Sequence, residues 1–170
     1  KDIDGTDYYT ATLSEKELVA SKMYKVSKDA LTPSYLVSDD SKTVTAYNAI
    51  GLYKWAEMAK VNTSSSNAVN LKLGDHITLP IDGITLDANG LPDKGNWTPV
   101  TTKNSKPYQG SINGNDFTIS NMYIVNTSNA QNQGFLSNSI GEIKDLTFDN
   151  AMIVVGATQS IGVIAGVSRD

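Results

Sequence analysis

Two stretches late in the chain can be laid over each other, and this near-repetition constrains the fold more than any other feature. Ile119, Met122 and Ile124 match Ile143, Leu146 and Phe148 at an offset of 24 (143 − 119), each set an apolar residue, two polar residues, then an alternating apolar pair. "QGFLSNS" at 133–139 resembles "IGVIAGVS" at 161–168, with Gly134 over Gly162 at an offset of 28 (162 − 134). A β-rich repeat of about 20 to 30 residues predicts strands that stack repeat on repeat, joined by polar corners. The expected fold is therefore mainly all-β: a right-handed parallel β-helix (solenoid), incomplete at its C-terminal end. Ser120-Asn121 and Lys144-Asp145 are the expected corners, and Gly114, Gly134, Gly141, Gly162 and Gly166 the expected bends or close approaches.

Upstream of the repeats the periodicity changes. In "TAYNAIGLYKWAEMAKVN", Leu52, Trp55, Ala56 and Ala59 fall at helical spacing, and Thr43, Thr45 or Asn48 can cap the start. This predicts one α-helix near 46–60 that covers the first β layer with Leu52, Trp55 and Ala59; Gly51 within it costs roughly 1 kcal/mol against Ala. Residues 1–42 alternate apolar and polar side chains in "DYYTATL" and "LVASKMYKVS", which suits two short strands, and "SDDSK" at 38–42 reads as a linker. Two regions follow: a β-strand segment over 1–42, a candidate end of a β-sandwich domain, and a helix plus β repeats over 43–170.

Composition narrows the function classes. A net charge of −4 and a pI near 4.9 disfavour nucleic acid and anionic membrane as partners, because both need clustered Lys and Arg. Cysteine is absent, so thiolate chemistry and disulfides are excluded. No apolar run approaches the ~20 residues that span a bilayer. The chain starts "KDIDG" without Met, which reads as a mature chain or a fragment.

The sequence shows no recognisable catalytic constellation. A glycan-cleaving site needs two carboxylates, or carboxylates around a metal beside a base, on one face. Asp82, Asp87, Asp93, Asp116, Glu142, Asp145 and Asp149 are scattered, Arg169 is the sole arginine, and His76 is the single histidine, in a turn beside Asp75. Asp145 and Asp149 could flank one strand, but solvated corner positions account for them. Two segments resemble the front of a calcium loop: Asp2, Asp4 and Asp7 around Gly5, and Asp87, Asn89 and Asp93 around Gly90. Neither carries the late bidentate Glu, so no catalytic residue and no cofactor is expected, with calcium at these two loops as the alternative. Trp97, Tyr108 and Tyr123, with Tyr53, are candidates for a sugar-stacking surface, or else core rings.

"NWTPV" at 96–100, "YQGSINGNDFTISNMYI" at 108–124, "QGFLSNSIGEIKDLTFDNAMI" at 133–153 and "IGVIAGV" at 161–167 together resemble the GLUG-type β-helix repeats of bacterial, Bacteroidetes-type cell-surface proteins. "GLYKWAEMAKVN" and "AVNLKLGDHITLP" resemble the lead-in to such repeats, so the resemblance covers about 43–170; Ser137 stands where the family has a second turn glycine. "KELVASKMYKVS" more weakly resembles the closing strand of a fimbrillin-like domain. The resemblance implies a secreted or outer-surface adhesion module, non-enzymatic, that presents a binding surface to host or bacterial glycans or proteins. A carbohydrate-active enzyme or glycan-binding module is the alternative. The apolar C-terminal face formed by Ile153, Val155, Ile161, Val163 and Ile164 predicts self-association or further repeats beyond Asp170.

Overall fold

A computed structural model describes residues 9–10, 32–61, 68–130, 132–158 and 160–168. The order of elements is β1 (Tyr9–Thr10), β2 (Thr32–Pro33), β3 (Tyr35–Val37), β4 (Thr43–Ala46), α1 (Ala49–Lys60), β5 (Asn70–Leu73), β6 (Ile77–Thr78), β7 (Ile112–Asn113), β8 (Thr118–Ser120), β9 (Tyr123–Ala130), β10 (Leu136–Ser139), β11 (Ile143–Lys144), β12 (Thr147–Asp149), β13 (Met152–Thr158) and β14 (Ala165–Ser168). The strand expectations within residues 11–31 lie outside the described residues.

The β-helix expectation needs correction. Among the described residues the chain is mainly β with one α-helix, but its strands form several short, separate sheets and none of these closes. A mixed five-stranded sheet runs β11-β7-β5-β4-β3, a three-stranded sheet β12-β8-β6, and two-stranded sheets pair β13 with β9, β10 with β14 and β1 with β2. β3–β4 and β1–β2 are antiparallel; the other pairings between these strands are parallel. A regular coil keeps its repeat length throughout, and this chain does not: in one sheet Ile112 pairs Leu71 at an offset of 41 (112 − 71), whereas Ile143 pairs Ile112 at an offset of 31 (143 − 112).

The offset of 24 is corrected too. Phe148 lies beside Ile119 at an offset of 29 (148 − 119), and Ile143 beside Ile112 at an offset of 31 (143 − 112). The apolar spacing that suggested 24 occurs in successive strands of one repeat as well as between repeats, so the overlay slipped onto the neighbouring strand, a shift of 5 in position (29 − 24). The glycine overlay was closer: Gln133 bridges Ile161 at an offset of 28 (161 − 133), and Leu136 pairs Ala165. Positive φ falls on Asp116 and Asp145, and again on Asn121 and Asn150, each pair at an offset of 29 (145 − 116 and 150 − 121). Asn and Asp tolerate this region because their short side chains bond locally.

One apolar cluster serves all the layers, running from Tyr35 and Val44 through Leu71, Leu73, Ile77, Ile112, Ile119 and Ile124 to Phe135 and Leu136. Hydrogen bonding crosses the expected 42/43 boundary: Val37 pairs Val44, and Tyr35 belongs to the shared core. Helix α1 is capped by Asn48, whose Oδ1 accepts from the amides of Ile50 and Gly51 at 3.0 and 3.3 Å. It buries Leu52, Trp55, Ala56 and Ala59, the stripe read from the sequence. Gly51 is buried as well, and a Cβ there would collide with the carbonyl oxygen of Ser34. Its propensity cost is therefore offset by the close seating of α1 on β3 and β4.

Candidate functional site

Between β6 and β7 the chain leaves the sheets for a long excursion, and its sequence dictates a rigid one. Against the offset of 31 between Ile112 and Ile143 in the same sheet, the Leu71–Ile112 pairing carries an insertion of 10 (41 − 31). The insertion falls in "IDGITLDANGLPDKGN", rich in turn formers. Asp87 Oδ1 accepts from the amides of Asn89 and Leu91, both at 2.8 Å, closing one turn. Asp93 accepts from the amide of Thr85 at 2.9 Å and from its hydroxyl at 2.7 Å, tying the two arms together, and Leu86 bridges Pro92 antiparallel. At the base, Asn96 Nδ2 donates to the carbonyls of Pro80 (2.9 Å) and Asn121 (2.8 Å) while its Oδ1 accepts from the Tyr123 amide at 2.8 Å. Ile81, Leu86 and Leu91 are 47%, 51% and 44% exposed on this pinned loop. In the sequence they carry no signal, because single apolar residues within a turn-rich stretch give no period.

The backbone bonds that Asp87 and Asp93 accept also set their acidity. Hydrogen bonds from Leu91 and Asn89 hold the Asp87 carboxyl below the usual 3.8, and those from Thr85 do the same for Asp93. A depressed folded-state pKa means that the contribution is fully present above the ordinary aspartate value and is lost as pH falls through 3.8 and below. Amide exchange in 85–93 should accordingly accelerate on acidification below about pH 4, and Asp93→Asn should remove much of that dependence. An exchange profile flat across this acid range, once corrected for intrinsic rates, would contradict it.

Of the aromatic candidates, Trp97 and Tyr108 join one ring stack inside the core, with Tyr53 against it, whereas Tyr123 is buried apart from that stack. Trp97, Tyr108 and Tyr123 are 5%, 2% and 3% exposed, so none offers a free ring face to a sugar. Trp97 stacks between Phe135 (4.8 Å) and Tyr53 (5.9 Å), and Phe135 stacks in turn on Trp55 (5.4 Å), which meets Tyr108 edge-on. Backbone carbonyls satisfy the polar tips inside this stack: Trp97 Nε1 donates to Phe135 (3.0 Å), and Trp55 Nε1 and Tyr108 Oη both donate to Val69 (3.0 and 2.8 Å). Burial pushes the Tyr108 phenol above its usual acidity range. Tyr123 Oη accepts from Asn150 Nδ2 at 2.9 Å; the same amide group donates to Asn121 Oδ1 at 2.8 Å, linking the equivalent corners.

The remaining candidates do not converge on one site. His76 is exposed, its Nδ1 accepting from the Thr118 amide at 3.1 Å and its ring edge-on to Phe117. Asp145 and Asp149 are exposed at and beside the corners. Among the described residues no three His, Cys, Asp or Glu side chains gather to hold a metal. Asp87 and Asp93 spend oxygens on their own loop, and Asp2, Asp4 and Asp7 lie outside the described residues. No helix among the described residues is long and apolar enough to cross a membrane.

No protein-family model matches the chain, and no solved structure matches it significantly. The chain is similar to halomucin of Haloquadratum walsbyi (strain DSM 16790 / HBSQ001), with 29% identity over 150 residues, which cover 82% of this chain. It spans only 2% of the length of halomucin.

Proposed function

We propose that this chain is a non-enzymatic display module of a secreted or outer-surface protein, and that its 81–96 loop contacts a glycan or protein partner. The observation that carries the reading is the loop itself: four side chains, Asp87, Asp93, Asn96 and Thr85, fix its backbone while Ile81, Leu86 and Leu91 face solvent. Pre-ordered apolar contacts bind without a large ordering cost. The resemblance of residues 43–170 to GLUG-type surface repeats supports the reading, as does the similarity to a small part of a very long relative.

The test is a binding measurement of the chain on a glycan array and on immobilised extracellular proteins, with polysaccharide turnover followed in parallel. The paired changes Leu86→Ser and Leu91→Ser should weaken the best binding signal by about tenfold or more, about 1.4 kcal/mol, without shifting the melting temperature. Binding unchanged by the pair would remove the loop from the interface. Release of reducing ends from any polysaccharide would overturn the non-enzymatic reading.

A further inference from the structure

We propose that the free edge of β13 joins two copies of this chain by antiparallel pairing of identical strands. Among the described residues β13 is paired on one side only, by β9, so it is an edge of its sheet. The Met152 amide donates to the Met122 carbonyl at 2.9 Å, and the alternation of a parallel ladder then aims the peptide groups of Ile153 and Val155 away from β9. An edge of this kind is a template for another strand, which proteins ordinarily blunt with lysine, proline or a bulge.

None of those devices is present here. Residues 150–168, "NAMIVVGATQSIGVIAGVS", contain no charged side chain and no proline. The register irregularity puts its extra residue in β9, since Asn126 to Asn129 spans three steps against two from Val155 to Ala157, so the outer edge of β13 stays regular. Charge selects the partner. A strand set against the preceding stretch would face Glu142, Lys144, Asp145 and Asp149, whereas a second β13 meets only neutral residues. A twofold axis at Val154 places Ile153 opposite Val155 of the other copy, so that the two outward-facing peptide groups of each strand find each other, the isologous arrangement that closes a dimer. In the neutral stretch that follows β13, Ile161, Val163 and Ile164 are exposed by 54%, 40% and 41%.

Light scattering and hydrogen exchange on the chain across about a hundredfold concentration range test the proposal. Dimer should accumulate at the upper end, with protection gained at the Ile153 and Val155 amides in step with it. Val155→Pro removes an outward donor without touching the amides that bond β9, and Val154→Lys adds like charges at the axis. Each should weaken association by about tenfold or more while the melting temperature of the monomer falls little. A monomer at every concentration overturns the proposal. So does protection at 153 and 155 that ignores concentration, which would mean that this chain covers its own edge, and so does an assembly that grows beyond two copies, which would mean a head-to-tail contact.

Discussion

Replacing Trp55 with alanine should lower the stability of the chain by about 3–5 kcal/mol, the range for removing a fully buried large aromatic. Trp55 has no exposed surface, and its ring lies between α1 and the sheets, stacked on Phe135 and edge-on to Tyr108. Truncation takes away this packing and leaves a void that only the movement of α1 could fill, but Gly51 already seats that helix as close to β3 as the Ser34 carbonyl allows. The carbonyl of Val69 would keep Tyr108 as a donor, so little of the loss should come from hydrogen bonding. Trp55→Phe separates the terms: it keeps most of the stacking and gives up the indole donor, for about 1–2 kcal/mol. Denaturant unfolding measures both, with Trp97 as the single remaining tryptophan. A Trp55→Ala loss under about 1 kcal/mol would show that α1 is not the lid of this core.

Trp55 belongs to the part of the fold that was readable from residue order. Leu52, Trp55, Ala56 and Ala59 could share one face only on a helix, and Asn48 sat where a cap was needed; both follow from local geometry. The corners were readable in part. Asn and Asp mark them and Asn121, Asp145 and Asn150 take the positive φ, while Gly114, Gly134, Gly141, Gly162 and Gly166 sit where the chain passes close to its neighbour, as expected, without positive φ. Register was hidden, because a spacing shared by successive strands within one repeat is indistinguishable, in one sequence, from a spacing between repeats. The closed solenoid failed for a related reason: the insertion before β7 and the antiparallel start at β3 break the constant length it needs.

For the candidate site the limit was different in kind. Trp97, Tyr108 and Tyr123 had the right chemistry for stacking on a sugar, and chemistry alone does not say which way a ring points. Their polar tips decide it physically, since each reaches a partner that only the folded chain supplies: Phe135 and Val69 carbonyls and the Asn150 amide. The exposed leucines of the 81–96 loop, in contrast, have no period in the sequence, so they emerge only when the loop's own hydrogen bonds are seen to hold it still.

Gly141→Ala should destabilise by about 2–4 kcal/mol, although the usual argument gives the opposite sign. Alanine stabilises by ~0.4–1 kcal/mol where the native backbone suits it, by narrowing the unfolded ensemble, and Gly141 is not among the residues with positive φ. The obstacle is the neighbouring chain. A Cβ at 141 would fall on the carbonyl oxygen of Gly110, backbone against backbone, with no side chain able to rotate away. Nor can the two segments part. The Ile140 amide donates to the Tyr108 carbonyl at 2.9 Å and the Ile112 amide to the Glu142 carbonyl at 2.8 Å, one bond on either side of the collision. Relief therefore costs overpacking strain of about 1–3 kcal/mol, plus about 0.5–1.5 kcal/mol for each of these bonds that is stretched. Gly90→Ala is the matched control. Gly90 has φ of 78° and nothing within 4 Å of its would-be Cβ, so only the left-handed backbone penalty of roughly 1 kcal/mol applies. Equilibrium unfolding of the two variants should place Gly141→Ala below Gly90→Ala. If Gly141→Ala equals or exceeds the parent in stability, the contact between the 108–112 and 140–144 segments is looser than described.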